Sequence, residues 1–143
     1  MPINDLYTEV VAEHSRSPRH RHKLEGATAV MRGVNPSCGD DITLELREEN
    51  GIIQDAAFTG VGCAISQASA DMMIDVIKGK TANEAMQLAQ LFFDMIKGEA
   101  TTEEQLEPLE DAMALQGVSH MPARVKCAVL AWHTLKDICD KEE

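Results

Sequence analysis

Residues 41–59 read DITLELREENGIIQDAAFT. Over positions 42–46 aliphatic residues alternate with polar ones, which is the period of a strand with one buried face. Asn50-Gly51 is a strong hairpin signal, and a second apolar stretch returns over 52–59. The pattern predicts an antiparallel hairpin with one polar face, so helices are expected to cover the opposite face only.

The sequence on both sides of this hairpin has a mostly helical pattern. A weaker strand candidate precedes it at 27–32, and apolar residues at helical spacing follow it. The order helix, strands, helices predicts the α+β class, with a small antiparallel sheet of about three strands and helices packed on one face. The expected helices span about 4–14, 64–78, 81–97, 101–115 and 122–140.

The length of the chain predicts one domain. Its 143 residues are enough to bury a single core, so residues 1–143 are expected to form one domain. Within it, residues 98–121 are expected to form a helical acidic insertion. Positions 99–111 hold six acidic residues and no basic one, which favours an exposed segment.

The composition excludes several classes of function. The formal net charge is −11 and aromatic residues make up 3% of the chain, so phosphate backbones are repelled and stacking platforms are scarce. No apolar run approaches the roughly 20 residues of a membrane span, and the N-terminus lacks the pattern of a secretory signal. We therefore expect a cytoplasmic protein that binds neither nucleic acid nor membranes.

Cysteines are the residues best able to carry chemistry in this chain. In a reducing compartment they are more often metal ligands or catalytic groups than disulfides. Within the turn Asn-Pro-Ser-Cys-Gly-Asp at 35–40, the glycine allows Cys38 and Asp40 to converge on one point, and a thiolate with a carboxylate makes half of a zinc site. The four cysteines are Cys38, Cys63, Cys127 and Cys139.

Two further thiols come from other predicted elements. Cys63 follows a Gly-Val-Gly turn at the start of a helix, whose partial positive charge favours a thiolate. Cys127 lies about five residues inside the last helix, beside basic residues. Taken alone, Cys63 and Cys127 could each equally be a small side chain buried in the core. Together with Cys38 and Asp40, they are enough to close a tetrahedral site.

The segment 14–23 is the one basic part of an acidic chain. It predicts either a solvated loop or a docking surface for an acidic partner. A histidine-rich metal site is disfavoured there, because the neighbouring arginines repel a cation. The candidate docking residues, one of them from the last helix, are Arg16, Arg19, Arg21, Lys23 and Arg124.

Three motifs in this order and spacing resemble the cysteine motifs of IscU-type proteins, which act in iron–sulfur cluster assembly. These motifs are Asn35–Asp40, Gly60–Cys63 and Lys126–Ala131. The chain departs from IscU scaffolds by carrying Lys126 where they have a histidine, by its acidic segment 98–121, and by lacking their Leu-Pro-Pro-Val-Lys chaperone-binding motif. These departures resemble the SufU-type branch of the family.

The resemblance implies a ligand set and a role. Cys38, Asp40, Cys63 and Cys127 would bind Zn2+, and a pyridoxal-phosphate cysteine desulfurase would supply persulfide sulfur for a downstream cluster scaffold or apo-protein. On this interpretation a group of the docked partner replaces Cys38 on the metal, and the catalytic Cys38 then attacks the persulfide. The alternatives are a scaffold that binds iron or a [2Fe-2S] cluster, and a structural zinc domain that only binds partners.

Overall fold

The structure, a computed structural model, describes residues 3–37 and 39–141, with the backbone alone for residues 3–8 and 141. Three strands follow a first helix, and the rest of the described chain is helical. The elements are α1 (Ile3–Arg16), β1 (Ala29–Asn35), β2 (Asp40–Glu49), β3 (Ile52–Val61), α2 (Ala64–Ile77), α3 (Ala82–Lys97), α4 (Glu103–Leu106), a 3₁₀ segment (Glu107–His120) and α5 (Pro122–Lys141).

The three strands form one antiparallel sheet in the order β1-β2-β3. Asn50 and Gly51 both have positive φ, 55° and 78°, as the tight turn of a two-residue hairpin requires. The three aliphatic residues of 42–46 are each 1% exposed, while the residues between them are half-buried. The predicted α+β class and the helices on one face of the sheet are confirmed.

Helix α5 packs against α2 and α3 through buried side chains. The indole of Trp132 stacks on Phe92 of α3 with centroids 4.4 Å apart, and its Nε1 donates to Ser69 Oγ at 3.0 Å. Ser69 in turn donates to the carbonyl of Ala128 at 2.6 Å. These buried contacts fix the first turns of α5 against α2, and this packing positions Cys127.

The acidic segment differs from the predicted continuous helix over 101–115. A four-residue α4 is followed by 3₁₀ turns, which are interrupted at Glu110 with φ 50° and ψ −127°. Its carboxylates lie outward, but its apolar residues are buried, so the expectation of an exposed segment holds for its acidic side only. That residues 98–121 are an insertion stays a prediction. The buried residues are Leu106, Leu109, Ala112, Leu115 and Val118.

In the described part of the chain, no helix has the length and apolar character that crossing a membrane requires.

Candidate metal centre

Three of the four predicted ligand residues meet at one end of the sheet. Asp40 begins β2, Cys63 caps the N-terminus of α2 and Cys127 lies early in α5. Each offers one ligand atom, and these atoms all lie within 4.8 Å of one another. Asp40 and Cys127 are fully buried and Cys63 is half-buried. Cys38 lies outside the described residues.

Two glycines before Cys63 make this close approach possible. A Cβ on Gly60 would overlap the carbonyl oxygen of Asp41, and the φ of Gly60 is +124°. A Cβ on Gly62 would overlap Ser66 Oγ and would lie 2.9 Å from Asp40 Oδ1. The Gly-Val-Gly turn therefore lets the end of β3 pass against the Asp40 carboxylate, which brings Cys63 beside it.

The Asp40 carboxylate is fixed by donors from three residues, two at the start of α2 and one at the end of β1. Its Oδ1 accepts hydrogen bonds from the backbone N–H of Cys63 at 3.0 Å and from Ser66 Oγ at 3.2 Å. Its Oδ2 lies 3.4 Å from Asn35 Nδ2. A carboxylate held in this way keeps one orientation, which is the usual role of the groups around a metal ligand.

N–H donors also lie near the two described sulfurs of the centre. The backbone N–H of Ser66 donates to Cys63 Sγ at 3.5 Å, and Asn35 Nδ2 lies 3.9 Å from Cys127 Sγ. Such contacts to sulfur tune the charge of metal-bound thiolates. Asn35 and Ser66 were not singled out from the sequence. Asn35 stands inside the first cysteine motif, but nothing in the sequence alone marks Ser66 as a neighbour of Asp40.

The donor set fits a thiophilic metal ion. Zinc binds cysteine sulfur at about 2.3 Å and carboxylate oxygen at about 2.1 Å, which puts tetrahedral ligand atoms roughly 3.6 Å apart. The three ligand atoms lie within 4.8 Å of one another, so binding would draw them together by about 1.2 Å at most. The same thiols would also suit the iron of a cluster.

The predicted docking residues have different surroundings. Arg19 Nη2 lies 2.9 Å from Asp75 Oδ2 on α2, and Arg21 Nη2 donates to the carbonyl of Ser15 at 2.6 Å. Arg19 therefore joins the segment 14–23 to α2, whereas the Arg21 hydrogen bond lies within the segment. Their docking role stays a prediction, as it does for the exposed residues Arg16, Lys23 and Arg124.

Sequence comparison relates the chain to proteins of iron–sulfur cluster assembly. Residues 6–128 match the NifU-like N-terminal domain. The chain is 41% identical, over 99% of its length and 94% of the relative's, to the zinc-dependent sulfurtransferase SufU of Bacillus subtilis. It is 43% identical, over 94% of its length and 83% of the relative's, to the iron–sulfur cluster assembly scaffold protein IscU of Streptococcus pyogenes.

The fold is also similar to that of a solved SUF-system protein. The crystal structure of FiSufU from the thermophile Fervidobacterium islandicum AW-1 matches 95% of this chain and 98% of its own, with a TM-score of 0.86 and 37% identity. The family resemblance predicted from the cysteine motifs is thus confirmed. We conclude that the chain belongs to the NifU-like N-terminal domain family, whose role is in iron–sulfur cluster assembly.

Proposed function

We propose that this protein is a zinc-dependent sulfur carrier, which accepts persulfide sulfur from a cysteine desulfurase for iron–sulfur cluster assembly. The observation that carries the proposal is the convergence of Asp40, Cys63 and Cys127 on one point. Two thiols and a carboxylate are a donor set that zinc accepts. The similarity to a relative named as a zinc-dependent sulfurtransferase, over 99% of this chain, supports the same choice.

Cys38 completes this donor set in the proposal. It stands two residues before Asp40, so the two Cα atoms are at most about 7.6 Å apart whatever the conformation of the turn. The turn begins at Asn35 and ends at Asp40, and both of these residues contribute to the centre. Asp40 offers a ligand atom, and Asn35 contacts both Asp40 and Cys127. A fourth ligand from this turn would close the tetrahedron, and Zn2+ bound there would keep the thiols deprotonated.

Cys38 is also the proposed sulfur acceptor. Its thiolate attacks the outer sulfur of the partner's cysteine persulfide; a new S–S bond forms on Cys38 while the partner's S–S bond breaks. The partner leaves as a thiolate, so the exchange needs no external oxidant or reductant. The residues next to Cys38 in the chain, Ser37 and Gly39, are exposed, whereas Cys127 is completely buried in α5. Of these two thiols, the one in the exposed turn is therefore the better acceptor.

Exposed apolar residues next to the centre support a docking surface there. Val34 and Val61 lie in one row across the sheet, joined through Asp41, and are 48% and 65% exposed. Exposed apolar patches mark interaction sites. We propose that the desulfurase covers this end of the sheet, and that the basic residues named above contribute to its binding.

The site of action and the recipients of sulfur are proposed from the same chemistry. Free thiols at a metal centre suit a reducing compartment, so the cytoplasmic location follows from the proposed role. The sulfur would pass to a downstream cluster scaffold or to an apo-protein.

The alternative function is that of a scaffold on which a [2Fe-2S] cluster is assembled, and similarity to the relative named IscU favours it. Metal analysis, followed by anaerobic treatment with iron and sulfide, distinguishes the two functions. A carrier is expected to contain one tightly bound zinc per chain and to stay colourless after treatment. A Cys63→Ala control should lose the zinc. A stable brown species, formed with loss of zinc, would establish the scaffold and overturn the carrier proposal.

A further inference from the structure

A second group of possible metal ligands, separate from the cysteines, lies further along α2. His14 lies in the last turn of α1, Asp71 and Asp75 stand one turn apart on α2, and Asp111 belongs to the 3₁₀ segment. His14 is 57 residues from Asp71 and 97 from Asp111 in the sequence. We call these four residues the histidine–aspartate cluster.

The imidazole of His14 is held between two carboxylates. Its Nδ1 lies 2.5 Å from Asp71 Oδ2, and its Nε2 lies 2.9 Å from Asp111 Oδ2. A neutral imidazole carries one N–H only, so it cannot donate to both. With a carboxylate at each ring nitrogen, the ring stands where a cation is favoured, and a metal ion bound to Nδ1 would take the place of the Nδ1 proton.

Asp71 is the least satisfied member of the cluster. Its side chain is completely buried, and within the described part of the chain its Oδ1 has no hydrogen-bond partner. Buried carboxylate oxygens are normally paired with a donor or a cation, because burying them alone costs free energy. The cluster thus has an unused ligand atom in a position that water does not reach.

We propose that the histidine–aspartate cluster is a second metal site, which binds a divalent transition-metal ion through nitrogen and oxygen ligands. His14, Asp71 and Asp75 each offer one ligand atom, and these atoms lie within 4.8 Å of one another. Imidazole with carboxylates suits manganese or ferrous iron, whereas the cysteine centre selects thiophilic ions. Asp111, at the other ring nitrogen, orients the imidazole as outer partners of metal-bound histidines do.

Arg19 is the group that a metal ion must displace. Its Nη2 lies 2.9 Å from Asp75 Oδ2 and 3.3 Å from Asp71 Oδ2. The Arg19 side chain is 55% exposed, and ion pairs of this kind contribute little to stability, so it can move into solvent at small cost. His20 Nε2 contacts the other oxygen of Asp75 at 2.7 Å and keeps that carboxylate in place.

The side of the cluster formed by His14, Asp75 and Asp111 is accessible from solvent, whereas Asp71 lies behind it. A cavity of about 290 Å³ reaches this side, and the Asp75 side chain is 32% exposed. An ion can therefore enter without unfolding of the core. The residues that line this cavity are Glu13, His14, Ser17, Arg19, Asp75 and Asp111.

Titration of the zinc-loaded protein with Mn2+, followed by electron paramagnetic resonance, tests this site. Mn2+ prefers nitrogen and oxygen ligands and competes poorly for thiolates. The wild-type protein is expected to bind one Mn2+ per chain, and Asp75→Asn is expected to weaken that binding at least tenfold, roughly the smallest loss reported for removal of a supporting group. The added Mn2+ should also raise the melting temperature of the wild-type protein more than that of the variant.

Asp55→Asn is the matched control, because Asp55 is 30% exposed and also pairs with a basic side chain, Lys78. It should bind Mn2+ as the wild-type protein does, and so should Cys63→Ser, which damages only the cysteine centre. The proposal is overturned if Asp75→Asn and the wild-type protein bind Mn2+ equally, or if neither binds it below about 1 mM. Since Cys63→Ser retains this Mn2+ site, failure here is separable from failure of the proposed sulfur-carrier function.

Discussion

Replacing Cys38 with alanine is expected to abolish the stimulation of a cysteine desulfurase by this protein. In the proposed function the Cys38 thiolate is the group that takes the persulfide sulfur, and alanine offers no nucleophile. The rate of alanine formation from cysteine should then fall to that of the desulfurase alone. Mass spectrometry should find one added sulfur atom on the wild-type chain and none on the variant.

Cys139→Ala is the control for this experiment. Cys139, on α5, is 1% exposed and packs in the hydrophobic core of the protein, so it offers no accessible thiol. The control variant is expected to retain both the stimulation and the sulfur adduct. Full stimulation by the Cys38→Ala variant would show that another thiol accepts the sulfur, and the proposed role of Cys38 would be wrong.

Replacing Asp40 with asparagine is expected to weaken zinc binding at least about 100-fold. Removing a residue that only supports a ligand costs about 10- to 100-fold in metal affinity, and removing a ligand should cost more. Asparagine has nearly the shape of aspartate, and its carbonyl can still accept from Cys63 N–H and Ser66 Oγ. The charge and one ligand oxygen are lost, while the packing is kept. Competition with a chromophoric chelator measures the change in affinity.

Asp41→Asn is the neighbouring control for this measurement. Asp41 accepts hydrogen bonds from Arg32 at 2.9 and 2.5 Å on the outer face of the sheet, and these bonds lower the pKa of its carboxyl. Removing that charge should leave zinc affinity unchanged. Equal zinc affinity in the Asp40→Asn and wild-type proteins would contradict the assignment of Asp40 as a ligand.

Local patterns were sufficient to predict the hairpin and the glycine-containing turn before Cys63. The alternation over 42–46 and the Asn50-Gly51 turn depend on neighbouring residues, so they are visible in the sequence. The Gly-Val-Gly turn before Cys63 is local in the same sense. That Cys63 and Cys127 meet Asp40 followed only from combining three motifs, because the contact joins residues far apart in the chain.

The histidine–aspartate cluster shows what local patterns could not predict. From the sequence, the arginines near His14 argue against a cation there. The carboxylates on which the proposed second site depends come from α2 and the 3₁₀ segment, 57 and 97 residues away. Similarly, the charges of 99–111 predicted exposure, whereas burial of Leu109 and Leu115 depends on packing against distant helices.

X-ray absorption spectroscopy of the zinc-loaded wild-type protein tests the proposed zinc centre most directly. Three sulfur atoms at about 2.3 Å and one oxygen at about 2.1 Å are the expected ligands of the ion. A zinc ion surrounded by nitrogen and oxygen only, with no sulfur neighbour, would contradict the account.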